Sequence, residues 1–168
     1  AILGFYTTAS SLINEMESYD AGNEDGVCIL DKVMVIDFNP EVHKCLIDRG
    51  IKAYYGDIGH IDTLLHAGIE HAKIVISTIP DSILVGTSNS KLLSNISSVA
   101  PHAKIIVTAE SPDHAIKLCK KGAHYVLVPR VLSAVNLMEV LKTFLNHDAQ
   151  DVMRDELEML KGRNEIIK

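Results

Sequence analysis

Apolar residues come in short blocks along this chain, and each block is followed by a polar stretch with helical spacing. The blocks cover residues 1–4, 33–37, 51–55, 74–78, 105–108 and 125–128. Several are continuous rather than alternating, the pattern of strands covered on both faces. Between them, residues 8–18, 40–48, 61–67, 82–99, 113–121 and 132–145 read as helices. Asn39-Pro40-Glu41 and Ser111-Pro112-Asp113 mark helix starts, a capping side chain followed by Pro. Gly50, Gly68 and Gly122 each follow a helix and suit a left-handed C-cap. Strand–helix alternation of this kind predicts an α/β fold with a doubly wound, six-stranded parallel sheet in the order 3-2-1-4-5-6.

Two stretches break the rhythm. Residues 19–32 hold Asp20, Gly22, Asn23, Glu24, Asp25 and Gly26, a turn-rich polar set that reads as a surface insertion. Residues 148–168 are highly charged, yet Val152, Met153, Leu157 and Leu160 recur at helical spacing. The organisation expected is a Rossmann-like domain over 1–146 and a charged amphipathic helix or linker over 147–168. Ala1-Ile2-Leu3-Gly4 resembles the end of a strand whose beginning lies upstream, so the sequence reads as a fragment.

Composition narrows the classes. A hydrophobic content of 47% supplies a core. A formal charge of −6 argues against nucleic acid, which wants a basic face. No apolar run approaches the ~18 residues of a membrane span. Cys28, Cys45 and Cys119 form no C-x-x-C pair and read as reduced thiols. The eight histidines are scattered without metal-ligand spacing, and no G-x-S-x-G elbow nominates a nucleophile. Neither a catalytic residue nor a metal ligand is assigned.

The chemistry gathers at the strand ends. A phosphate loop G-x-G-x-x-G belongs after the first strand, where the chain reads Gly4-Phe5-Tyr6-Thr7-Thr8-Ala9. Gly4 keeps the tight turn, and Ala9 allows close helix packing. Tyr6 stands where glycine lets backbone approach a pyrophosphate. Thr7 and Thr8 offer caps and hydroxyls for a phosphate at the helix N-terminus. A plain strand-to-helix turn without ligand is the alternative. Asp37 ends the second strand 28 residues past Ala9, the 19–32 insertion accounting for the excess over the usual ~20. A carboxylate there favours an unphosphorylated ribose, hence NAD(H), AMP, ADP or ATP over NADP. Its removal is expected to weaken binding and leave the fold intact; capping beside Asn39 is the competing role. Asp57, after Gly56, either borders the adenosine or caps a helix near Gly59. Thr78 borders the ligand, and Asp81 caps the next helix. Phe38, Ile58 and Ile79 flank these positions and complete the candidate cofactor site.

The runs Val35-Ile36-Asp37-x-Asn39-Pro40, Gly50-Ile51-x-Ala53-x-Tyr55-Gly56-Asp57, Leu64-x-x-Ala67-Gly68-Ile69-x-x-Ala72, Pro80-Asp81 and Gly122-Ala123-x-x-Val126-x-x-Pro129 together resemble the RCK (TrkA-N type) domain. The likeness spans nearly all of residues 1–146. It implies a cytoplasmic regulatory domain that binds NAD(H) or an adenine mononucleotide and controls potassium or other monovalent cation transport. The partner it implies is a membrane channel or antiporter part upstream in the same chain, as in Kef-type antiporters. It also implies a dimer through the last strand and helix. Leu132, Val135, Leu137, Met138, Val140, Leu141 and Phe144 point the same way, being more apolar surface than one face of a terminal helix needs. The competing functions are an NAD-dependent dehydrogenase fragment and a ligand-free dimerisation module. Too few residues follow the sixth strand to build a substrate domain, so no enzyme activity is assigned.

Overall fold

The computed structural model describes all residues except 24, 25, 27, 147, 148 and 168, and the side chains of all but these and 146, 149–152 and 155. Six strands, β1 (Ile2–Leu3), β2 (Met34–Asp37), β3 (Lys52–Tyr55), β4 (Ile74–Ser77), β5 (Lys104–Thr108) and β6 (Tyr125–Leu127), form one sheet. Its order is β3-β2-β1-β4-β5-β6, with every pair parallel. Seven α-helices are described: α1 (Thr7–Gly22), α2 (Pro40–Asp48), α3 (Ile61–His66), α4 (Asn89–Val99), α5 (Pro112–Lys120), α6 (Pro129–Asn146) and α7 (Ala149–Lys161).

Alternation along the central strands divides the core. Ile2 and Val35 point to one face and pack with Ala9 and Ile13 of α1 and Val42 and Leu46 of α2. Leu3 and Ile36 point to the other, against Leu64, Leu92, Leu93, Ile96 and Leu118 of α3, α4 and α5. Both faces of the sheet are therefore covered, which explains the continuous apolar runs. Each fully buried Leu or Ile contributes about 1.5–3 kcal/mol on folding.

The caps are as the sequence signals them. Asn39 accepts the Glu41 N–H at 2.9 Å, and Ser111 accepts the His114 N–H at 3.2 Å. Gly50, Gly68 and Gly122 take positive φ.

Three boundaries differ. Helix α1 runs on to Gly22, so residues 19–22 are helical rather than loop. Asp20 in its last turn accepts the Ile29 and Leu30 N–H groups at 2.8 and 2.9 Å, and these bonds hold its carboxyl below the ordinary value. They tie the excursion to the helix end; Glu24 and Asp25 lie outside the described residues. Residues 82–88 are a loop, and α4 starts only at Asn89. Gly86 is left-handed at φ +72°, and Ser88 caps α4 by accepting the Lys91 N–H. The apolar Ile83–Val85 run lines a cleft, with Leu84 also packed against the core, so helical spacing had no helix to mark. Helix α6 begins at Pro129, three residues early, because Pro suits the first helical position. The expected amphipathic helix after residue 147 is α7; Asp148 and the side chain of Val152 lie outside what is described.

Candidate functional site

A cleft of about 450 Å³ opens at the C-terminal ends of β1 to β4. It is lined by Gly4, Phe5, Tyr6, Asp37, Phe38, Asn39, Asp57, Ile58, Ile79, Ile83, Leu84, Val85 and Thr87. In an open parallel sheet this is where ligands bind, beside the point at which strand order reverses. A larger cavity of about 800 Å³ lies at the other end of the sheet, beside the two-residue β1. It is a slot between the longer β2 and β4, with no carboxylate lining it, and has none of the chemistry described next.

Gly4 makes the turn out of β1 with φ +71°. A Cβ there would lie 2.2 Å from Ile79 Cδ1 and 3.3 Å from Ile58 Cδ1, so the cleft wall is closed against this glycine. Phe5 follows, and its N–H donates to Asp37 Oδ2 at 2.6 Å. Asp37 Oδ1 accepts the Asn39 N–H at 2.7 Å. The carboxylate is 6% exposed and satisfied by two backbone donors, yet each oxygen keeps a second lone pair. Asp37 is thus more than a cap beside Asn39, because it also fixes the β1–α1 turn.

Tyr6 is the N-cap of α1 in extended conformation and makes no side-chain cap bond. Neither Thr7 nor Thr8 caps the helix; they occupy its first turn, exposed. The first N–H groups of a helix lack intrahelical acceptors and carry the positive end of its dipole. Asp57 Oδ1 accepts the Gly59 N–H at 2.7 Å in a tight turn, so Asp57 caps no helix; α3 starts later, at Ile61. Asp81 Oδ1 takes both the Asn89 N–H and its side-chain amide at 2.7 Å, which pins the 82–88 loop to the start of α4.

Of the expected site residues, Gly4, Phe5, Tyr6, Asp37, Phe38, Asp57, Ile58 and Ile79 come together in the cleft. Thr7 and Thr8 lie beside it, and Thr78 is buried at 4% exposure behind Ile79. Sequence reasoning missed Asn39, Ile83, Leu84, Val85 and Thr87. The Ser88-Asn89 cap signal, read ahead of the helical spacing, would have freed 82–88 as a loop. The uncapped start of α1, the carboxylate at the end of β2 and the apolar side chains of Phe38, Ile58 and Ile83 thus border one cleft. Among the described residues no group of His, Cys, Asp and Glu side chains is arranged to hold a metal, and no helix is long and apolar enough to cross a membrane.

Fold and cleft together define a Rossmann-like α/β domain with its ligand cleft at the strand ends. The chain belongs to the TrkA-N domain family, whose model matches residues 1–129. It is 34% identical over 91 residues to the glutathione-regulated potassium-efflux system protein KefC of Salmonella newport, covering 54% of this chain and 14% of that protein. The chain therefore spans only a small part of the curated relatives it matches. Among solved structures it resembles the TrkA-N domain of the inner membrane protein YbaL from Escherichia coli, with TM-score 0.68 and 23% identity over 83% of this chain and 94% of that one. It also resembles the Kef CTD of Shewanella denitrificans in its AMP-bound form, with TM-score 0.59 and 23% identity over 96% and 92% of the two chains.

Proposed function

We propose that this chain is the cytoplasmic, nucleotide-sensing regulatory domain of a membrane transporter of potassium or another monovalent cation, and that its ligand is an adenine mononucleotide. The observation that carries the reading is one cleft in which the buried carboxylate of Asp37 faces the uncapped N-terminus of α1. Membership of the TrkA-N family, the potassium efflux named for the Salmonella relative and the AMP of the Shewanella domain support it. Residues 1–146 are the binding unit on this reading, and 147–168 an appended charged helix.

The residues divide the work. Asp37 accepts ribose hydroxyls with its remaining lone pairs. The α1 N-terminus and the Gly4 turn receive the phosphate. Phe38, Ile58 and the 83–85 run bound the base. Tyr6 lines the cleft at the place a pyrophosphate would cross, which favours AMP over NAD(H). On this reading the site binds a regulatory ligand, in keeping with the RCK domains among its structural relatives. Ligand then biases the transporter by differential affinity for its two states. The membrane part precedes this domain in the same chain, and α6 joins two copies. Calorimetric titration with AMP, ATP and NADH is the test: saturable heat is expected with AMP and weaker binding with NADH. Silence with all three would leave a structural dimerisation module.

A further inference from the structure

The outer flank of α1 carries polar side chains that the cleft does not use, and they are buried. Ser10 is 1% exposed and Asn14 is 7%. Their partners arrive from the far end of the sequence. Asn14 Oδ1 accepts the Asn164 N–H at 2.8 Å, and Ser10 Oγ accepts the Ile167 N–H at 2.9 Å. Ser11 Oγ donates to Glu165 at 3.0 Å. Arg163 donates to Glu165 at 2.6 Å and to Glu15 of α1 at 2.5 Å. Arg49, just past α2, donates to the Asn164 carbonyl at 2.8 Å and pairs with Glu17 at 3.3 Å. Ile166 and Ile167 lie half-buried against the buried cluster that includes Ala9 and Ile13, at whose edge Leu12, Met16, Leu30 and Val33 also pack.

We propose that the flank of α1 from Ser10 to Glu17, together with Arg49, is a docking surface for an extended segment, and that residues 163–167 of this chain occupy it as a releasable strap. The surface reads backbone: two N–H groups three residues apart each meet a side-chain acceptor on one helix face. It reads charge through Arg163 and Glu165, and shape through two β-branched side chains. With the strap in place Ser10 and Asn14 are buried, and each is satisfied by a strap N–H rather than left unpaired. The contact is releasable because it rests on five residues, and its ion pairs are a fifth or more exposed, where salt screens them. Strap follows α7, and α7 follows α6. Docking therefore anchors the α6–α7 arm on the same helix whose N-terminus faces the cleft. The strap stands whether or not the cleft takes a nucleotide.

Hydrogen exchange of the full chain, read by mass spectrometry without ligand, tests this. Residues 163–167 should exchange well below the rate of a free peptide. Asn14→Leu removes one acceptor, and Ile167→Pro removes one donor while leaving the surface apolar. Each should raise exchange in 163–167 about tenfold, the effect of one lost buried hydrogen bond, and speed exchange in α7. Ile167→Val, which keeps the N–H, should change neither. Exchange in β4 and β5 reports the fold; if Asn14→Leu disturbs it, Ile167→Pro decides alone. Free-peptide exchange of 163–167 in the unaltered chain would overturn the proposal. So would protection that Ile167→Pro leaves unchanged.

Discussion

Asp37 Oδ2 takes the Phe5 N–H at 2.6 Å, so the carboxylate ending β2 holds the turn that leaves β1. The group proposed to meet a ribose is also a structural strut of the β1–α1 turn. The sequence alone suggested that Asp37→Ala would weaken ligand binding and spare the fold. The structure changes the second half. Two backbone donors lose their acceptor, one of them buried, at a cost of about 1–3 kcal/mol. Scanning calorimetry should show Tm falling by about 2–4 °C per kcal/mol lost. Titration should show AMP affinity reduced by about tenfold or more. An unchanged Tm would mean that water replaces the strut.

Gly4 and Ile79 set a second test. A methyl at position 4 meets both a left-handed backbone and the Ile79 side chain at 2.2 Å. Gly4→Ala should cost about 1–2 kcal/mol for the backbone alone and more for the clash. Adding Ile79→Ala should return only the clash component, measured by denaturant unfolding of both variants and of Ile79→Ala alone, whose own cavity cost is subtracted. Full recovery in the double variant would show that the backbone tolerates alanine there.

Tyr6 separates ligand classes. Glycine is tolerated at an N-cap at a cost of a few tenths of a kcal/mol relative to good capping residues, and Tyr6 makes no cap bond to lose. Tyr6→Gly should therefore keep the fold and open room for a pyrophosphate. NADH affinity should rise while AMP affinity changes little, read by titration of both ligands. A rise for AMP equal to that for NADH would show that the phenol obstructs the mononucleotide too.

The sheet was legible because its signals are local: apolar runs, Asn39-Pro40 and Ser111-Pro112 starts, and glycines after helices. Parallel order followed from alternation and handedness alone. Half of the cleft was legible for the same reason, since Gly4, Asp37 and Asp57 end strands. The other half was not, because Ile83, Leu84 and Val85 mimic a helical stripe, and only tertiary placement shows that they face a cleft. The bond from Phe5 to Asp37 was also hidden, since nothing local says which backbone donor a strand-end carboxylate will meet 32 residues away. The strap pairs residues about 150 apart and leaves no periodic trace.

Helix α6 bears on assembly. Every residue from 131 to 139 is exposed, and Leu132, Val135, Leu137, Met138, Leu141, Phe144 and Leu145 are 45–82% exposed. Such apolar surface on one helix calls for a partner, and a second copy meeting it across a two-fold axis buries both at once. Light scattering at micromolar concentration should give a dimer, and Leu141→Glu with Phe144→Glu should give a monomer. A monomer without the substitutions, or a dimer with them, would move the interface elsewhere.

Acid should release the strap through Glu165. The Arg163 hydrogen bond chiefly holds its carboxyl below the ordinary 4.5, and Ser11 adds to this. A group whose pKa is lowered by docking stabilises the docked form above its ordinary pKa, and that contribution is lost as pH falls through the docked value. Arg163 is itself pushed upward by Glu165 and Glu15, so it stays charged throughout. Protection of 163–167, corrected for intrinsic exchange, should therefore hold from about pH 8 to 5 and decline below the ordinary carboxylate range. Asp20 is depressed in the same direction by the Ile29 and Leu30 amides and will loosen residues 28–30 in the same window. Glu165→Gln separates the two. It should weaken the strap at neutral pH and flatten its acid response, while residues 28–30 keep theirs. An acid response in 163–167 that survives Glu165→Gln would show that Glu165 is not the group that releases the strap.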